Sequence, residues 1–106
     1  MQENRRKYTL KKEIRVNGIL IREVIIDPHV DKHSDHITDN LIVSLVKLLD
    51  EKLYSSTIKK DNFSYYLSRV LYKGKVYRLI WLQENGQFYV GVITSFKEKG
   101  AKHDVP

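Results

Sequence analysis

Three dipeptides, Asn17-Gly18, Lys73-Gly74 and Asn85-Gly86, divide this chain into runs rich in β-branched and aromatic residues. Asn-Gly supplies the positive φ angles of a type I′ turn, whose twist matches that of two paired strands. Such a turn predicts a hairpin and also fixes which residues face each other across it. The first dipeptide joins Lys12-Glu-Ile-Arg-Val16 to Ile19-Leu-Ile-Arg-Glu-Val-Ile-Ile26, so a hairpin is expected from Tyr8 to Ile26. The other two place strands at about 63–72, 75–83 and 87–96 in an antiparallel meander.

Helical signals fill the space between. Asp27 is a good N-cap, and Pro28 suits a first helical position because its missing N–H has no partner there. A short helix from Pro28 to about Ser34 follows. Thr38-Asp39 forms a second cap, and Leu41, Ile42, Leu45, Val46, Leu48 and Leu49 recur at helical spacing. This predicts an amphipathic helix at about 39–52 that packs on the sheet. Residues 54–62 read as a polar loop. The expected class is α+β: an N-terminal β-hairpin, one or two helices, then a three-stranded antiparallel meander.

A length of 106 residues fits one domain, 1–106, with a core at about 8–97 and polar tails. Apolar residues make up 42% and charged residues 30%, a globular balance that leaves no room for a cofactor domain. No apolar run approaches the roughly 18–20 residues needed to cross a bilayer. No apolar signal core follows the polar start, so a cytoplasmic protein without membrane contact is expected. Delivery by a specialised secretion system would leave no mark here. The lack of cysteine removes disulfides, thiolate zinc sites and cysteine nucleophiles. Nineteen Lys and Arg against thirteen Asp and Glu give a formal charge of +6, which favours a polyanion such as RNA or DNA. A solubilising lysine-rich surface would give the same total, and much of the excess lies near the ends.

Three of the four histidines, His29, His33 and His36, fall within eight residues. Imidazole gives and takes protons near neutral pH, so the cluster suggests acid–base chemistry. On a helix, His29 and His33 share a face and His36 lies near it. Such a pair can also bind zinc, with His36, Asp31 or Asp35 as third ligand; the plainer alternative is a solvated helix face with one imidazole capping or hydrogen-bonding the adjacent loop. No metal and no cofactor are assigned. In the meander, a two-residue loop at Asn85-Gly86 pairs Gln83 with Phe88, Arg78 with Ile93, and Tyr77 with Thr94. A two-residue turn at Lys73-Gly74 sets Arg69 opposite Arg78. One face then carries Tyr65, Arg69, Arg78, Tyr89 and Ser95. The other carries Tyr66, Val70, Leu79, Trp81 and Thr94, and is the better core candidate. Opposed arginines repel unless an anion lies between them, and guanidinium suits phosphate well. They can instead snorkel over the sheet edge or pair with acidic residues. Tyr65 and Tyr89 serve as stacking platforms or as plain packing. There is no Gly-rich phosphate loop, no nucleophile elbow and no His-Glu-x-x-His, which sets aside kinases, nucleotide-binding folds, hydrolases and zincins.

Lys32-His33 ahead of the sheet, Gly74-Lys-Val-Tyr-Arg-Leu-Ile-Trp81 and Tyr89-Val-Gly-Val-Ile-Thr-Ser-Phe96 together resemble the barnase–EndoU–colicin–RelE group of small ribonucleases and toxins. The resemblance covers roughly residues 27–97 and leaves the N-terminal hairpin outside. It implies metal-independent RNA cleavage, in which a ribose 2′-hydroxyl attacks the adjacent phosphorus. By that resemblance His33 is base or acid, Arg78 the phosphate clamp, Thr94 or Ser95 the strand hydroxyl, and Tyr89 a donor or stacking platform. His29 and His36 have no assured counterpart; with Arg69 and Tyr65 they are candidates for binding. Lys97 stands where the group often has an arginine. The implied partners are an RNA substrate and an acidic immunity protein or antitoxin. The competing reading is a noncatalytic basic module that binds nucleic acid or protein through its sheet.

Overall fold

The computed structural model describes residues 5–32 and 37–98 and shows one six-stranded sheet with a single α-helix. The strands are β1 (Arg6–Val16), β2 (Ile19–Ile26), β3 (Ile58–Lys60), β4 (Phe63–Tyr72), β5 (Lys75–Glu84) and β6 (Tyr89–Lys97). Their order across the sheet is β1-β2-β6-β5-β4-β3. The class is α+β, as the sequence indicates, but the details differ. The N-terminal hairpin joins the meander through a parallel β2–β6 pairing from Glu23↔Tyr89 to Ile26↔Val92. The meander also has a fourth strand, because β3 forms inside the stretch read as a loop and pairs with β4 from Ile58↔Tyr65 to Lys60↔Phe63. Asp61 makes that turn possible with φ 58°, a conformation Asp tolerates better than most residues.

Two of the three glycine dipeptides form two-residue turns. Asn17 and Gly18 take φ 54° and 77°, and Lys73 and Gly74 take 52° and 81°, with Val16↔Ile19 and Tyr72↔Lys75 closing the hairpins. The third turn is longer. Glu84 ends β5 and Tyr89 begins β6, so residues 85–88 form the loop. A bulge then shifts the register between Ile80 and Trp81.

The helix α1 (Asp39–Lys47) starts where expected, with the Thr38 hydroxyl accepting from the Leu41 N–H at 3.1 Å. It stops short of residue 52 because the N-terminal hairpin captures the next segment. The Glu51 N–H donates to the Arg15 carbonyl at 2.6 Å, and the Asn17 N–H donates to the Lys52 carbonyl at 3.1 Å. Glu51 adopts φ 63° to make this exit. The other expected helix is a 3₁₀ turn, Pro28–Lys32, with Asp27 Oδ1 accepting from the His29 N–H at 2.8 Å. The turn ends at Lys32, and His33, expected to share a face with His29, lies outside the described residues. No helix among the described residues is long and apolar enough to cross a membrane.

The core lies on one side of the sheet. Ile42, Leu45 and Val46 of α1 pack into a cluster with Val24, Ile26, Val90 and Val92. Trp81 is fully buried, stacks on Tyr66 at 4.2 Å and meets Tyr54 edge-on at 5.3 Å. Its Nε1 donates to Ser68 Oγ at 3.0 Å, which satisfies the one polar atom of the indole. Beside it the Asn17 side chain donates to Gln83 Oε1 at 2.7 Å and accepts from the Tyr54 N–H at 2.6 Å. Arg6 fastens the opposite end. Its guanidinium reaches Asp39 at 2.8 Å and Asp31 at 3.1 Å, joining β1 to α1 and the 3₁₀ turn. Tyr8 donates its hydroxyl to the same Asp39 carboxylate, which Arg6 holds below the usual range.

Candidate functional site

Side chains on a strand alternate between faces, and residues directly opposite each other share one. The face away from α1 carries Phe63, Tyr65, Leu67 and Arg69 on β4, matched by Glu84, Leu82, Ile80 and Arg78 on β5. Among the described residues no helix lies over it. Leu67 is 49% exposed and Ile58, opposite Tyr65 on β3, is 60% exposed. This open face is the natural place to look for a site.

Arg69 lies directly across from Arg78, as a two-residue turn at Lys73-Gly74 requires. The anion that reconciles them is the chain's own Glu98, just past β6. Glu98 Oε2 accepts from Arg69 Nε at 2.7 Å and from Arg78 Nε at 2.8 Å, while Oε1 accepts from Arg69 Nη2 at 2.9 Å. These two guanidinium groups, Arg69 first, hold the Glu98 carboxyl down at about 2. Pairing with an acidic residue, one of the outcomes weighed for these arginines, is therefore the one found. The arrangement still carries a net positive charge. Arg78 uses only Nε in it, and its two Nη groups donate to no described residue. Its side chain is 45% exposed beside an open depression lined by Phe96, Lys97 and Glu98.

The β6 candidates change places. With the longer loop and the bulge, Arg78 faces Phe96 rather than Ile93, Ile80 faces Thr94, and Leu79 faces Ser95. Thr94 thus lies on the open side with Arg78, although it is only 7% exposed. Ser95, expected beside the arginines, is fully buried on the covered side, where its hydroxyl finds no partner among the described residues. The cause is the residue inserted at the bulge, which inverts the alternation for everything after it.

Tyr89 is on the open side and donates its hydroxyl to Glu84 Oε1 at 2.6 Å. Burial, then the Glu84 carboxylate, pushes the phenol well above its ordinary range, so it remains a neutral donor. Tyr65 lies opposite Leu82, with its ring 6.4 Å from that of Phe63. His29 is half-buried in the 3₁₀ turn, which packs against β6. His33 and His36 lie outside the described residues. Among the described residues no three His, Asp or Glu side chains gather as a metal site would require.

The sequence reading missed Glu98, which it assigned to a polar tail. The available signal was the arginine pair itself, since opposed cations need an acid and Glu98 is the first one after the last strand. Compared with family models, with curated proteins and with solved structures, the chain matches none of them.

Proposed function

We propose that this protein binds single-stranded RNA on the open face of its sheet. The observation that carries the reading is the shared placement of Tyr65, Phe63 and Tyr89 with Arg78 on the side of the sheet that no described helix covers. Flat rings on a strand surface stack on unpaired bases, and a guanidinium with unused donors takes the phosphate. The net charge of +6 supplies the long-range attraction. Glu98 positions Arg78 by holding its Nε, which leaves both Nη groups to donate to a phosphate.

A second reading, RNA cleavage by 2′-hydroxyl attack, is favoured by one feature. The histidine-bearing 3₁₀ turn packs on β6, and β6 pairs on its other side with the strand that carries Arg78. In that reading His33 is the acid or base, Arg78 steadies the charge developing on phosphorus, and Thr94 is the strand hydroxyl. Ser95 has no part in it, because it faces the core. An acidic inhibitor protein belongs to this reading, since an unrestrained ribonuclease harms its own cell.

One experiment separates the two. The purified chain is mixed with labelled single-stranded RNA in EDTA, and both binding and strand integrity are followed as salt rises. Binding that weakens steeply with salt while RNA stays whole supports the first reading. Cleavage abolished in His33→Ala supports the second. RNA that neither binds at low salt nor is cut overturns both.

A further inference from the structure

Gly91 sits on the open face of β6, flanked by Ile25 on β2 and Leu82 on β5. A Cβ there would come within 2.9 Å of Leu82 Cδ1 and 3.4 Å of Tyr89 Cε1. The glycine thus makes room for the Leu82 side chain, and beside the two lies a recess of about 40 Å³ in the sheet surface, lined also by Tyr89, Phe63 and Ile25. The hydroxyl bond to Glu84 fixes the Tyr89 wall.

Two charged groups stand at the rim, Arg5 and Asp27. The Asp27 carboxylate is already oriented, because Oδ1 accepts from the His29 N–H. Its Oδ2 has no partner among the described residues, and Arg5 has none there either. We infer that this recess seats the edge of an amino-bearing nucleobase, with Asp27 Oδ2 accepting from the exocyclic amine and Arg5 meeting the neighbouring phosphate.

The inference rests on the RNA reading of the same face, and the chemistry of the recess narrows the ligand. Its small volume admits one edge of a flat ring, so the base lies half inserted against Tyr89. An aliphatic side chain would fill the floor but leave a desolvated carboxylate unpaired, which is costly. A free phosphate would meet apolar walls and an anionic rim. Adenine, cytosine and guanine carry an amine that a carboxylate can accept from. Uracil has no exocyclic amine, and its one edge donor, N3–H, is flanked by two carbonyl oxygens that the Asp27 carboxylate repels. The recess lies roughly 15 Å along β6 from the position facing Arg78, at about 3.3 Å per residue, so one strand of RNA can span both.

The test measures binding of short homopolymeric RNAs of adenine, cytosine and uracil to the full chain at low salt. The adenine and cytosine strands are expected to bind about tenfold tighter than uracil. Asp27→Asn keeps the acceptor for the His29 N–H but offers an amide to the base. It is expected to erase that preference, weakening adenine and cytosine binding and strengthening uracil binding, because uracil carbonyl oxygens accept from the amide. Gly91→Ala displaces the Leu82 side chain that lines the recess, and should bring adenine and cytosine binding down toward the uracil level. If the alanine variant does not fold, Asp27→Asn decides alone. Binding that ignores base identity, or a preference that survives Asp27→Asn, overturns the seat and leaves the RNA reading standing. No binding to any of the three strands overturns both.

Discussion

The two faces of the sheet are built from alternate residues of the same strands, yet they follow different rules. On the covered face, Tyr66, Val70, Leu79, Trp81, Val90 and Val92 meet α1 and the segment after it, and nearly every polar atom there is partnered. On the open face, Leu67 and Ile58 stay about half exposed, while Arg69, Arg78 and Tyr89 are each held by a carboxylate. Covered positions are chosen for volume. The polar groups among the open positions are fixed in direction, because a guanidinium or phenol held by an acid keeps its remaining donors in one orientation. On the proposed RNA-binding reading, stability and recognition fall on opposite sides of one sheet, and substitutions on the two sides should have separable effects.

The largest effect should come from the covered side. Trp81→Ala removes the ring between Tyr66 and Tyr54, leaves the Ser68 hydroxyl without its indole partner and opens a cavity at the centre of the cluster. A loss of about 3–5 kcal/mol is expected, read from urea unfolding. A loss below about 1 kcal/mol would show that this face is not the seat of stability and would collapse the distinction between faces.

Arg78→Ala should do the reverse. RNA affinity is expected to fall about tenfold and the slope of log affinity against log salt by about 1, because one phosphate contact is lost. The unfolding free energy should move by no more than about 0.5 kcal/mol, as for other surface substitutions. Unchanged affinity would remove Arg78 from the interface and leave the aromatic rings to explain any binding.

How much of this was legible in the sequence depended on where register is written. Asn17-Gly18 and Lys73-Gly74 place φ > 0 at both turn positions, so the turn chemistry alone sets Arg69 opposite Arg78. Asn85-Gly86 carries the same signature but opens into a longer loop, and β6 then accommodates a bulge. Nothing in Val-Gly-Val-Ile-Thr-Ser marks an inserted residue, since its cause is tertiary: β6 must pair with β5 on one side and run parallel to β2 on the other. A one-residue slip moves every later side chain to the other face, which is why Thr94 and Ser95 exchange roles. The helix end at Lys47 was hidden for a similar reason. Leu48 and Leu49 continue the apolar spacing, and only the bonds from residues 51 and 52 to the N-terminal hairpin break it. Long-range pairing overrode local pattern in both places.

A smaller effect sharpens the role of Glu98. Its two arginine partners lower its pKa from 4.5 to about 2, so the folded chain binds its proton less readily than the unfolded chain does. A depressed acid contributes stability above the unfolded value, and that contribution drains away as pH falls from about 4.5 toward 2. Glu98→Gln should therefore be slightly less stable than wild type near neutrality, show a shallower decline across that window, and match it at the acid end. Unfolding in urea at a series of pH values reads this directly. Parallel curves would mean that solvent screens the pair so fully that Glu98 orients Arg78 without stabilising the fold.

The smallest effect is expected at Ser95, and it bears most directly on the exchange of faces. The Ser95 hydroxyl is fully buried with no partner among the described residues, so it carries a desolvation cost and returns no hydrogen bond. Ser95→Ala removes the oxygen and leaves the packing of the covered face nearly intact. The result should range from no change to a gain of about 1 kcal/mol in stability, with RNA binding unaltered. Thr94→Ala is the paired control, because Thr94 shares Arg78's side of the sheet across from Ile80. If Ser95→Ala weakens action on RNA while Thr94→Ala does not, the strand is read without its bulge, and the assignment of residues to the two faces must be reversed beyond Val92.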